Sequence, residues 1–316
     1  MRTRPLRGLQ LTELGFGSAS LGNLFRAIND DEALATVHAA WAGGVRYFDT
    51  APHYGLGLSE RRLGAALAGR PRAEFVVSTK VGRLLEPNPA PTGSDLPDNG
   101  FDVPDDLVRR FDFSADGVRH SLDASLTRLG LDRVDVVLVH DPIGEHLTAA
   151  ISQAVPALIA LREQGVIGAV GVGMNEWQAP LRMVRETDID VVMLANRWTL
   201  LDRSGEPLLD ECERRGVGVI AAAPYNSGLL ARDRPSATAT FDYGSAPAEL
   251  RARAEHLAEV CESHRVRLPE AALQFPLRHS AVRSVVAGLG SVGEVQSALD
   301  RYRAAVPDDA WKDLHA

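Results

Sequence analysis

With 316 residues, 45% of them hydrophobic and 24% charged, the chain is expected to bury a large core rather than to be disordered, and none of its apolar runs reaches the roughly 18 residues that a bilayer span needs. A net charge of -8 argues against nucleic acid as a partner, because phosphates are met by clustered Lys and Arg. The basic start leads into no apolar run of signal-peptide length, and the two distant cysteines, Cys212 and Cys261, fit a reducing compartment as buried small hydrophobes, so a soluble, cytoplasmic protein with no membrane partner is expected.

From the N-terminus, short β-rich runs alternate with amphipathic helical runs. Strands are predicted over residues 11–18, 45–50, 75–80, 134–140, 167–173, 191–196, 217–223 and 283–289. Helices are predicted over 31–41, 59–67, 114–129, 148–164, 176–185, 206–215, 248–264 and 292–304, with Ser59 capping the second. Runs such as Val134-Asp-Val-Val-Leu-Val139 are apolar on both faces towards their ends, as parallel strands covered by helices are. Eight such units suit an α/β chain folded as a (β/α)8 TIM barrel with its active site at the C-terminal face of the strands, while an open doubly wound sheet explains the same alternation. The expectation is one barrel domain over residues 1–316. Two polar connections, the Pro-rich 81–113 and the later 231–247, would lie over that face, where long loops cover or shape a site.

The stretch from Tyr47 to Glu60 reads as a strand ended by Asp49, a turn made by Pro52 and glycines, and a helix start. In a barrel the second, third and fourth strands are neighbours, so Asp49, Lys80 and His140 would project into one cavity with Tyr54 on the loop above. Singly, each has a structural explanation: Asp49 caps a turn, Lys80 snorkels, Tyr54 packs, and His140 is a satisfied core histidine. Together they suggest proton transfer through a phenol. An ammonium beside Tyr54 favours the phenolate, Asp49 neutralises the ammonium, and His140 orients the substrate oxygen. His53 is read as facing the pocket rim, Trp198 and Tyr225 as core packing or stacking on a ligand, and no metal site is suggested, since the histidines show no paired helical spacing.

Asp49, Tyr54, Lys80 and His140 match, in order and strand position, the catalytic tetrad of the aldo-keto reductases. The chain resembles that family from Gly15-Phe-Gly-Ser18 through Gly171-Val-Gly-Met-Asn175 to the glycines near residue 290. The run from Tyr47 to Gly64 and Ala223-Pro-Tyr-Asn-Ser-Gly228 look most similar to the branch containing D-threo-aldose 1-dehydrogenase, L-fucose dehydrogenase and pyridoxal 4-dehydrogenase. The resemblance implies a (β/α)8 fold and hydride exchange with NAD or NADP bound without a Rossmann domain.

By the same resemblance Asn175 would lie near the nicotinamide carboxamide, and Asn226, Ser227 and Gly228 near the pyrophosphate. Many members carry Ser-Asn after the fifth strand and Gln at the sixth, where this chain has Gly173-Met-Asn175 and Ala195-Asn196. The run Gly288-Leu-Gly290-Ser291-Val-Gly293 spells a dinucleotide glycine pattern, but too little chain follows for a Rossmann unit. What remains is a glycine turn and helix N-terminus after a last barrel strand, which suits phosphate, with a tight turn as the plain alternative. Gly290 stands where a Lys or Arg often clamps the adenosine 2′-phosphate. That leans the expectation to NAD, with Arg301 or Arg303 as the cations that could substitute.

The expected function is an NAD(P)-dependent oxidation of the anomeric C1 hydroxyl of an aldose, D-threo-aldose or L-fucose-like, to a lactone. Alternatives on the same site are an aldehyde or ketone reductase and a pyridoxal dehydrogenase. A Schiff-base lyase using Lys80 is disfavoured because a lysine paired with Asp49 stays protonated. A non-catalytic nucleotide-binding protein is disfavoured by the intact tetrad.

Overall fold

Parallel strands that are apolar on both faces can close on themselves, and in this chain they do. The computed structural model describes residues 1–242 and 244–315. Eight parallel strands form a closed barrel: β1 (Leu14–Gly17), β2 (Tyr47–Asp49), β3 (Val76–Val81), β4 (Val136–His140), β5 (Ala169–Met174), β6 (Val191–Ala195), β7 (Gly218–Ala222) and β8 (Val282–Gly288). Each strand pairs with the next in chain order, and β8 closes on β1. The open-sheet alternative therefore falls.

Side-chain alternation along each strand divides the core in two. On β4, Val137 and Val139 join the large layer between strands and helices, while Val136 and Leu138 belong to the smaller cluster inside the barrel. That inner cluster also holds Tyr47, Val191, Met193, Ile220 and Val286, so the barrel is a packed core rather than a pore. Gly15 makes room for it, since a Cβ there would stand 2.7 Å from the Tyr47 ring. The floor is an N-terminal hairpin, Thr3–Leu6 with Leu9–Thr12, which inserts Leu6 and Leu11 into the inner cluster.

That hairpin corrects the first predicted strand. Residues 11–18 do not run as one strand: the chain breaks at Glu13, whose buried carboxylate takes Arg2, Arg4 and the Tyr302 hydroxyl. The predicted helix 148–164 begins as His146–Ala149, widens into a π stretch at Ala150–Ala154 and continues as Val155–Glu163. Pro156 accounts for the widening, because it donates no hydrogen bond and its ring crowds the carbonyl four residues back. Ser59 does not cap its helix. Leu58–Leu67 starts after Gly57 in a left-handed conformation, and the Ser59 hydroxyl is buried against the Ser18 carbonyl and the Thr50 hydroxyl.

The 81–113 connection contains an antiparallel hairpin, Arg83–Pro87 with Leu107–Phe111, and a short helix, Leu96–Asn99. Within 231–247, Thr240–Phe241 pairs with Gly244–Ser245. Tyr243 in that connection and Ala316 at the end of the expected 1–316 range lie outside the described residues. Cys212 and Cys261 are buried and unpaired, and burial pushes their thiols up to about 12 and about 11. No helix among the described residues is long and apolar enough to cross a membrane.

Candidate active site

Inward-facing positions at the C-terminal ends of three adjacent strands carry polar groups instead of aliphatics. Asp49 ends β2, Lys80 lies one residue before the end of β3, and His140 ends β4, all of them buried. Alternation fixes this: Asp49 shares its face with Tyr47, Lys80 with Ser78, and His140 with Leu138. Tyr54, half-buried, hangs from the turn after β2.

The Lys80 ammonium donates to Asp49 Oδ2 at 2.7 Å, to the Thr50 carbonyl at 3.0 Å and to the Tyr54 hydroxyl oxygen at 3.1 Å. Its three protons are thereby matched by three acceptors. Behind Asp49, Ser78 donates to Oδ1 at 2.7 Å, and the Tyr47 and Ser78 hydroxyls are 2.9 Å apart. Ser78 escaped the sequence reading although its place two residues before Lys80 on a strand was the signal. Burial pulls the Lys80 ammonium down, but Asp49 and Tyr54 outweigh it and hold the group above its ordinary 10.5. A lysine so held is a permanent cation at neutral pH, which stabilises negative charge on Tyr54 and makes a poor amine nucleophile.

His140 meets Tyr54 edge-on, with ring centroids 6.1 Å apart. Its Nδ1 is buried without a partner, and Nε2 lies 3.6 Å from Asp141 Oδ2. Burial, then the charges of Arg83 and Lys80, hold it well below the ordinary 6.5 of histidine. It is therefore a neutral imidazole with unused hydrogen-bonding capacity, not a satisfied core histidine. The roof comes from the 81–113 hairpin: Arg83 pairs with Asp141 at 2.6 Å, and Arg109 pairs with Asp95 while donating to the His53 carbonyl at 2.8 Å. The predicted tetrad residues are thus in one cluster.

The cofactor candidates divide. Asn196, at the end of β6, is 1% exposed, and neither end of its side-chain amide has a hydrogen-bond partner. Buried amides are rarely left so, and a carboxamide ligand would satisfy both ends at once. Asn175 is exposed beyond β5. Asn226 accepts from Thr199 at 2.7 Å and donates to the Asn196 backbone carbonyl at 3.1 Å, so its side chain braces the Asn196 loop. Ser227, half-buried, and Gly228, exposed, follow it with positive φ, 56° and 98°, and the Gly228 amide donates to the Tyr225 carbonyl at 3.1 Å.

At the end of β8, a Cβ built on Gly288 would meet no atom within 4 Å. Ser291 caps Val292–Arg303 by accepting from the Glu294 amide at 3.2 Å. The Glu294 carboxylate accepts from the Gly290 amide at 2.6 Å, a contact the sequence reading missed. It places negative charge where the resemblance expected a cation. Arg301 does not replace that cation: its guanidinium lies over the Tyr225 ring and donates to the Ala231 carbonyl. Arg303, in the last turn of the same helix, is at the opposite end from Gly290. Trp198 is core, tilted against Phe275 and donating to the Pro276 carbonyl. Among the described residues no group of three or more His, Cys, Asp or Glu is arranged to hold a metal ion.

The aldo/keto reductase family model matches residues 13–316. The chain is 48% identical to D-threo-aldose 1-dehydrogenase of Pseudomonas sp over 310 residues, 97% of this chain and 94% of that protein. It is 38% identical to pyridoxal 4-dehydrogenase of Microbacterium luteolum over 327 residues, 98% and 94% of the two chains. The solved structure of aldo-keto reductase AKR11C1 from Bacillus halodurans, holo form, matches with a TM-score of 0.79 at 25% identity, covering 100% of this chain and 95% of that one. A closed eight-stranded barrel, a buried lysine shared between a carboxylate and a phenol, and these matches over nearly the whole chain lead to one conclusion: the protein belongs to the aldo/keto reductase family and is an oxidoreductase that uses a nicotinamide cofactor.

Proposed function

We propose that this enzyme oxidises the anomeric C1 hydroxyl of an aldose, D-threo-aldose or L-fucose-like, to the lactone, with NAD as the preferred cofactor. The observation that carries the chemistry is the 3.1 Å contact between the Lys80 ammonium and the Tyr54 oxygen. The sugar assignment draws on the 48% identity to an aldose 1-dehydrogenase.

Tyr54, as phenolate, takes the proton of the C1 hydroxyl as the C1–O bond becomes a carbonyl. Lys80 stabilises the phenolate before transfer, and Asp49, braced by Ser78, keeps the ammonium neutralised and fixed. His140, uncharged, hydrogen-bonds the same oxygen and holds it towards Tyr54. In the reverse direction Tyr54 returns that proton to a carbonyl oxygen. A bound nicotinamide would accept the hydride that leaves C1; Asn196 and Asn175 would hold its carboxamide, and Ser227, Gly228, Gly288, Gly290 and Ser291 would hold the rest of the dinucleotide.

Glu294 supports the lean to NAD, because a carboxylate on the Gly290 amide repels a ribose 2′-phosphate and competes with it for the same donor. Glu294→Gln is expected to shift the ratio of NADPH to NADH affinity towards NADPH by roughly tenfold, read by fluorescence titration of each cofactor. An unchanged ratio would remove Glu294 from cofactor selection.

The test of the function is a panel of L-fucose, D-arabinose, L-galactose and pyridoxal, each with NAD and NADP, followed by nicotinamide reduction. Pyridoxal is included because a pyridoxal 4-dehydrogenase is 38% identical. Turnover of aldoses with NAD is expected. Silence with every aldose and turnover of pyridoxal would move the assignment to that substrate.

A further inference from the structure

His53, next to Tyr54, has no role in the mechanism above, yet it is built into the mouth of the barrel. Its ring stands 5.2 Å from Phe101 at 86° and 5.6 Å from His140 at 75°. Its carbonyl is gripped by Arg109, which Asp95 holds through both carboxylate oxygens at 2.6 and 2.7 Å. The imidazole itself makes no hydrogen bond to protein among the described residues, and Nδ1 is buried without a partner. A polar side chain fixed in this way and left unbonded beside a reaction centre is accounted for by a ligand. Burial, then Arg83, Arg109 and Lys80, lower its pKa to about 2, so the ring is neutral and offers one donor and one acceptor. That pair of functions matches a hydroxyl, which also donates and accepts, rather than an anion.

Two neutral imidazoles therefore stand side by side, one facing the reacting oxygen and one beside it. We propose that His53 is a substrate-positioning residue that hydrogen-bonds the hydroxyl on the carbon adjacent to the reacting one, so that the site selects 2-hydroxy substrates over their 2-deoxy counterparts. The inference deepens the aldose reading, on which it rests for the identity of the natural substrate, by naming the second oxygen that the site reads.

The experiment compares wild type, His53→Ala and His53→Asn on L-fucose against 2-deoxy-L-fucose and on D-arabinose against 2-deoxy-D-arabinose, with kcat and KM separated. NADH fluorescence titration establishes that each variant retains a folded cofactor site. The wild-type preference in kcat/KM for the 2-hydroxy sugar is expected to fall about tenfold in His53→Ala, mainly through KM, and less in His53→Asn, which keeps a donor and an acceptor. Equal losses on both members of each pair, or an unchanged preference, would overturn the inference. A reductive arm, lactaldehyde against propanal, poses the same question without a sugar. If wild type ignores aldoses but His53→Ala still loses its preference for lactaldehyde, the aldose reading fails and the role of His53 stands.

Discussion

Tyr54→Phe is expected to lower kcat by about 10²- to 10⁴-fold, the usual worth of a positioned proton-transfer group, while leaving NADH affinity within a factor of about two. The size of the effect follows from what surrounds the phenol. Lys80 cannot take over as base, because Asp49 still holds its ammonium charged and two of its three protons stay engaged by Asp49 and the Thr50 carbonyl. His140 is a poor substitute as well: burial and the nearby cations hold it well below 6.5, so it has little tendency to accept a proton. The nearest carboxylates are already engaged: Asp49 accepts from Lys80 and Ser78, one on each oxygen, and Asp141 is paired with Arg83. Steady-state kinetics with the best aldose of the panel would measure the loss. A variant retaining more than a tenth of wild-type kcat would mean that the proton leaves by another route, with His140 the first group to test.

The clustering of Asp49, Lys80 and His140 was legible because a parallel strand buried on both faces has few reasons to end on a polar or charged group. Asp49, Lys80 and His140 each interrupt an apolar run at its C-terminal end, and alternation then decides which way they point. Asn196 was nameable from the resemblance, but its significance lies in an amide left unbonded in the core, which no local pattern encodes. The misreadings share a cause: a distant partner overrode a local signal. The break at Glu13 depends on Arg2, Arg4 and Tyr302. Ser59 sits where a cap belongs, yet its hydroxyl is taken by Ser18, 41 residues earlier. The Pro-rich 81–113 connection looked irregular, although most of its prolines fall outside the hairpin strands and Pro87 occupies a strand end. Asn226 was placed near the pyrophosphate by resemblance alone, and the bond its side chain makes to Thr199, 27 residues earlier, has no local signal either.

Breaking the Lys80–Asp49 pair from one side is expected to cost far more stability than replacing it from both. Asp49→Ala leaves a buried ammonium with only the Thr50 carbonyl and the Tyr54 oxygen, and should destabilise the fold by about 3–5 kcal/mol, read as a shift in urea unfolding. Lys80→Met combined with Asp49→Leu removes both charges, fills the space with apolar groups and should recover most of that loss while remaining inactive. The pH dependence separates the two states of the lysine. In wild type its folded pKa lies above 10.5, so its contribution is fully present below that pH and is lost only as pH rises through the folded value. Without the carboxylate, burial dominates and the folded pKa drops below 10.5. Between those two values the unfolded chain then binds the extra proton, so the Asp49→Ala variant should gain stability on going from pH 7 towards pH 10 relative to wild type. A double variant as unstable as Asp49→Ala would mean that the ion pair holds the barrel together. The recovery expected here means instead that the fold tolerates a charged pair costly to desolvate because Tyr54 needs a fixed cation beside it.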